Sequence, residues 1–170
     1  MKIGITGHQE LNDSSWVKRE ILSVLHLQSR PLIGVTSLAV GADQLFAQAV
    51  LECGGALQVI VPFAGYVDSF KADGREEYER LLASAAIIEV LPAIGSHEES
   101  YFSAGKRVVD VSDLVVAVWN GKPAAGLGGT GDVVNYARCQ GKCYIHINPI
   151  TCKTTQFIEN RTFAQHLNYT

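Results

Sequence analysis

Six short apolar runs punctuate this chain, and the segments between them carry apolar residues at helical spacing. The runs are Lys2–Thr6, Leu32–Leu38, Leu57–Pro62, Ala86–Leu91, Asp113–Trp119 and Cys143–Ile147. Most are apolar almost throughout rather than at every second residue. A strand with one face in water alternates; a strand covered on both faces, as in a parallel sheet between helical layers, does not.

The intervening segments supply those layers. In Ser15–Gln28, the residues Trp16, Val17, Ile21, Val24 and Leu25 share one helical face, and in Asp43–Cys53 so do Leu45, Phe46, Ala49 and Val50. Tyr78, Leu81 and Leu82 anchor a third helix, Tyr101, Phe102, Val108 and Val109 a fourth, and Val133, Val134 and Ala137 a fifth. Strand and helix in alternation predict an α/β chain with right-handed crossovers. The expected fold is a doubly wound, mostly parallel, six-stranded Rossmann-like sheet with helices on both faces. Residues 1–148 form one domain in this reading. Residues 149–170 are a C-terminal tail packed on it or extending from it, with one short helix around Phe163–Leu167.

Ligands of such sheets bind beyond the carboxyl ends of the strands, so the residues just after each strand are the candidate site. The first strand is followed by Gly7 and His8; the glycine permits a tight turn or close approach, and the histidine offers a donor to a phosphate or ribose. After the second strand, Gly41, Ala42 and Asp43 open a helix whose positive end suits an anion, with Asp43 the candidate cap. Phe63 follows the third strand and could stack on a base or pack in the core. Trp119 follows the fifth. Lys106 and Arg107, on the fourth helix one to two turns before the fifth strand, offer a cation that could reach a phosphate, or else are solvated charges.

That loop reads Gly126-Leu127-Gly128-Gly129-Thr130-Gly131-Asp132. Gly126, Gly128 and Gly131 match G-x-G-x-x-G, but a dinucleotide fingerprint follows the first strand and has an acid about 20 residues later. Here the glycines follow the fifth strand, and no acid lies near position 151. What survives is physical. Gly128, Gly129 and Gly131 let amides converge at a helix starting near Thr130 or Asp132, the Thr130 hydroxyl adds a donor, and the set favours a phosphate.

The stretches GITGHQEL, GADQLFAQA and SDLVVAVWNGKPAAGLGGTGDVVNYAR together resemble the SLOG superfamily over roughly residues 1–148. That superfamily includes the DNA-processing Smf/DprA proteins, LOG-type nucleotide phosphoribohydrolases and YspA-like proteins. The resemblance implies a Rossmann-like fold and a nucleotide-derived ligand held by phosphate at Gly128–Asp132. The LOG-type motif P-G-G-x-G-T-x-x-E puts Leu127 on its proline, Asp132 on its threonine and Asn135 on its glutamate. Nucleoside deoxyribosyltransferases are similar at Asp113–Ala117 and Gly129-Thr130, but there the glutamate position holds Val133. An amide or a valine cannot act as general base or nucleophile. A nucleotide-binding sensor or carrier is therefore expected; N-glycosidic hydrolysis is the alternative, and no catalytic residue is assigned.

Composition narrows the partners. With 14 basic and 17 acidic residues the net charge is −3, which disfavours nucleic acid as a partner. No apolar run is long enough for a membrane span. The N-terminus has no h-region or cleavage site, and Cys53, Cys139, Cys143 and Cys152 lack zinc-like spacing. A cytoplasmic homo-oligomer is expected, with no metal and no cofactor beyond the nucleotide-derived ligand.

Overall fold

A computed structural model describes residues 1–124 and 126–158 of the chain. Strand β1 (Lys2–Gly7) leads to α1 (Ser14–His26), β2 (Ile33–Thr36), α2 (Ala42–Glu52) and β3 (Ala56–Val61). A 3₁₀ turn at Tyr66–Ser69 precedes α3 (Ala72–Ala83), β4 (Ile87–Val90), α4 (His97–Val111) and β5 (Leu114–Val118). The chain continues through α5 (Thr130–Cys139), β6 (Tyr144–Asn148) and β7 (Lys153–Phe157). The strand order is β4-β3-β2-β1-β5-β6-β7, parallel throughout except for β7, which runs antiparallel to β6.

Among the described residues the sheet thus has seven strands, not the expected six. Its extra member, Lys-Thr-Thr-Gln-Phe, is exposed at every position, so burial left no apolar signal in its sequence. The hairpin into it is set by Asn148, whose Oδ1 accepts from the amides of Ile150 and Thr151 at 3.0 and 3.1 Å. The helix expected around Phe163–Leu167 lies outside the described residues.

Continuous apolarity in the central strands has the anticipated cause. Along β5, Leu114, Val116 and Val118 enter the core shared with α1, α2 and α3, while Val115 and Ala117 enter the core shared with α5. β4 departs from this pattern. At the sheet edge it leaves Ile87, Ile88 and Val90 about half exposed, and its Glu89 pairs with Arg107 of α4 at 2.9 Å. β2 is also shorter than the apolar run that contains it, because Leu38 adopts a positive φ of 58° and turns the chain.

The helix starts are written locally. Asp13 caps α1 by accepting from the Trp16 amide at 2.8 Å. Ser96 and Glu99 form a reciprocal capping box on α4. Ser96→Ala leaves the Glu99 amide without its acceptor and is expected to cost about 1 kcal/mol, read as a lowered urea midpoint at unchanged m-value. A midpoint equal to that of the parent chain would refute this role for the cap.

Candidate functional site

Strand order reverses at β1, which lies between β2 and β5, so the crevice beyond the carboxyl ends of β1 and β5 is the switch point of the sheet. His8 ties it together. Its amide donates to the Val118 carbonyl at 3.0 Å, its carbonyl accepts from the Ala42 amide at 3.1 Å, and its ring Nε2 accepts from the Asn120 amide at 3.2 Å. With Nε2 accepting, the ring proton of a neutral His8 sits on Nδ1. The side chain is therefore engaged in holding the β1 and β5 exits together.

Gly7 and Gly41 serve the same junction. A Cβ on Gly7 would lie 2.4 Å from the Ala42 Cβ and 2.9 Å from that of Val118. One on Gly41 would lie 2.3 Å from the Gln9 carbonyl oxygen and 2.5 Å from that of His8, and Gly41 also has φ of 91°. The first residue of α2, Ala42, is fully buried against β1. Close main-chain packing is enough to require these glycines.

Asp43 does not cap α2; the N-cap is Gly41, and Asp43 lies one residue inside the first turn. Its Oδ2 accepts from the Thr36 hydroxyl at 3.0 Å and the Ser37 amide at 3.1 Å, fastening the β2–α2 loop. Burial pushes its pKa up from 3.8 to about 6, against the hydrogen bonds from Thr36, Ser37 and Ala39, which pull it down.

Phe63 is buried in an aromatic cluster. His97, the first residue of α4, stacks on it with centroids 4.7 Å apart and planes 16° apart, and Tyr66 and Tyr101 lie at 5.8 and 5.9 Å. One face of the ring is thus already taken by a side chain. Trp119 is fixed by its indole N–H, which donates to the Lys122 carbonyl at 2.8 Å. The Lys106 Nζ stands 4.9 Å from the Phe102 ring centroid.

The glycine loop delivers α5, starting at Thr130, with Gly129 as an N-cap that has no side chain to offer. Asp132 is the third helical residue. It reaches back so that its Oδ2 accepts from the Gly128 amide at 3.0 Å, which also places negative charge at the positive end of the helix. Gly128, with φ of 81°, presses on α4, where a Cβ would meet the Glu98 carbonyl oxygen at 2.8 Å. Gly131 faces the Lys122–Ala124 backbone, its nearest atom being the Ala124 nitrogen at 2.8 Å. Gly126 has open space, with nothing within 4 Å of a Cβ built there. Among the described residues, the amides of Thr130 and Gly131 donate to no acceptor.

The structure therefore gathers Gly7, His8, Gly41, Ala42 and Trp119 around the switch point. Gly128 lies against α4, which carries Lys106, and Phe63 and Asp43 sit in packed settings of their own. Sequence reading missed three amides. A groove of about 230 Å³ beside the β1 exit is lined by Gln9, Gln44 and Gln48 together with Ser14, Leu11 and Leu45. The spacing of Gln44 and Gln48, four apart on one helix face, was the available signal.

No family model matches the chain, and no curated protein matches its sequence. Solved structures do. DNA processing protein A (DprA) from Streptococcus pneumoniae superposes with a TM-score of 0.64 at 15% identity, covering 86% of this chain and 50% of that one. DNA processing protein A from Helicobacter pylori, described for its single-stranded DNA binding mode, gives 0.60 at 16% identity, covering 87% and 65%. The protein TM1055 gives 0.53 at 16% identity, covering 84% and 71%. The chain thus spans half to about two thirds of the length of the two DNA processing proteins, and it shares their Rossmann-like fold.

These similarities correct the expectation that disfavoured nucleic acid as a partner, since similar folds include one described for its single-stranded DNA binding mode. The net charge of −3 sums the whole surface, whereas a bound strand samples the potential of one groove. Among the described residues no helix is long and apolar enough to cross a membrane.

Proposed function

We propose that this chain binds a phosphorylated nucleotide unit at the carboxyl edge of its sheet and holds it without cleaving it. The carrying observation is the α5 N-terminus. It issues from a glycine loop directly after β5, the strand beside the switch point, with the Thr130 and Gly131 amides uncommitted among the described residues and the Thr130 hydroxyl beside them. Asp132 shares that helix end, so the phosphate sits against the amides of the first turn rather than over the carboxylate. Lys106, on the adjoining α4, supplies a side-chain cation in this reading.

Cleavage lacks its acid. The position aligned with the hydrolase glutamate is Asn135, exposed on α5, and the one aligned with the deoxyribosyltransferase glutamate is Val133, buried against Gly105. Neither can donate or accept a proton at a ribose carbon. A second reading, in which the phosphate held at this loop belongs to a single strand of DNA, is favoured by the single-stranded DNA binding for which the Helicobacter pylori protein is described.

Calorimetric titration with AMP, NAD and oligothymidylate, with chromatography for released base, tests the assignment. Saturable binding without free base is expected. Thr130→Val, which removes one hydroxyl donor to a charged group, is expected to weaken binding about tenfold. If neither AMP nor NAD binds and the oligonucleotide is indifferent to Thr130→Val, the loop is not the site. If free base accumulates, the chain is an enzyme.

A further inference from the structure

The geometry points to a second, separate binding surface on the sheet face beside α5: a row of aromatic rings flanked by Arg138 and Lys142 that takes single-stranded nucleic acid. It draws on the nucleotide reading only for the class of ligand, and stands on different residues.

The surface exists because the chain turns back after β6. Each earlier parallel strand is followed by a helix, but β6 enters the β7 hairpin directly, so among the described residues no crossover helix covers the face of β6 and β7 next to α5. A groove of about 440 Å³ remains, within the roughly 300–1,000 Å³ usual for ligand sites. Strand parity fills it with rings. Tyr144 and His146 of β6 project to this face, Phe157 of β7 is paired with Tyr144, and Trp119 follows β5 on the same parity.

The rings form a series. Trp119 and His146 have centroids 5.4 Å apart, His146 and Phe157 6.5 Å, and Phe157 and Tyr144 4.6 Å with planes 9° apart. Phe157 covers Tyr144 and remains 41% exposed. Orientation is set before any ligand arrives, because the Trp119 N–H is anchored on Lys122 and the His146 Nε2 donates to the Trp119 carbonyl at 2.7 Å. Anchored rings lose little freedom on binding.

Charge completes the match. Arg138 is exposed and makes no ion pair among the described residues. The Lys142 Nζ donates to the carbonyl oxygens of Asp110 and Ser112 at 3.2 and 2.7 Å, which leaves its charge unneutralised by them. The nearby Asp110 carboxylate is engaged by the Tyr136 hydroxyl, and among the described residues no carboxylate lines the groove. Stacking faces beside unpaired cations suit bases joined by phosphates. The row lies open along the sheet rather than enclosing one ligand, which favours a strand over a free nucleotide.

The full chain is titrated with labelled oligothymidylate of about twelve nucleotides at about 50 and about 200 mM salt. Binding is expected to weaken with salt and to quench Trp119 emission in a Trp16→Phe background, where Trp119 is the remaining tryptophan. Phe157→Ala and Arg138→Glu are each expected to weaken it about tenfold, with Arg75→Glu, the same change of charge on α3 across the sheet, leaving it unchanged. Thermal melts of all variants confirm folding, and Arg138→Glu keeps the test sharp if the β7 variant melts early. Absence of binding, loss on Gly129→Val with the groove variants unaffected, or equal competition by free thymidine monophosphate would each overturn the proposal. So would concentration-dependent self-association that Phe157→Ala abolishes without any oligonucleotide binding, which would assign the groove to a second copy of the chain.

Discussion

Gly41→Ala is expected to destabilise the fold by about 4 kcal/mol, read from urea denaturation. Two effects combine. Its φ of 91° and ψ of −121° lie in a region nearly restricted to glycine, and a Cβ there would meet the main-chain oxygens of Gln9 and His8 at 2.3 and 2.5 Å. Those atoms belong to the β1 exit, whose own hydrogen bonds to Val118 and Ala42 hold it in place, so neither side can yield cheaply. Gly54 provides the comparison. It has φ of 69° but nothing within 4 Å of its Cβ, so Gly54→Ala should cost only about 1–2 kcal/mol from backbone strain. Domains of this kind have about 5–15 kcal/mol of stability in all, so the first variant should be markedly compromised and the second close to normal. Equal losses would show that the junction does not constrain Gly41.

The stability of the chain should also carry an inverted acid dependence from Asp43. In the unfolded chain its carboxyl releases its proton near 3.8; in the fold, burial holds the proton until about pH 6. Between those values the folded state binds more protons than the unfolded one, so the contribution of Asp43 to stability falls as pH rises and is flat above the window. About two pKa units correspond to about 3 kcal/mol. Glu77, lowered chiefly by its hydrogen bond from Arg80, works in the opposite sense from an exposed surface, where screening makes it small. The informative quantity is therefore the difference between the parent chain and Asp43→Asn. The parent should lose stability relative to the variant by about 3 kcal/mol between pH 4 and pH 7. Parallel pH profiles for the two chains would mean that burial does not raise the Asp43 pKa.

Both predictions concern residues that were legible as candidates and opaque in their roles. Gly41 and Asp43 stand where a phosphate-binding turn would place them, just before and within the first turn of a helix after a strand. Their partners, however, come from β1 and from the β2–α2 loop. Phe63 was open to either stacking or packing, and His97, thirty-four residues later, is what occupies its face. Nothing near Phe63 in sequence announces that neighbour.

The amino-acid sequence alone determined the alternation of strand and helix, the burial of the central strands on both faces, and the start of α5 at the end of the glycine loop. It could do so because periodicity and helix capping act over a few residues and leave their mark within those residues. Tertiary structure alone decided that β1 lies between β2 and β5, that Gly41 meets the backbone of His8 and Gln9, and that a polar segment with no burial pattern becomes β7. It also decided that Trp119, Tyr144, His146 and Phe157 form one row. These outcomes depend on which strands become neighbours, and strand order brings together residues whose separation in sequence carries no local physical trace.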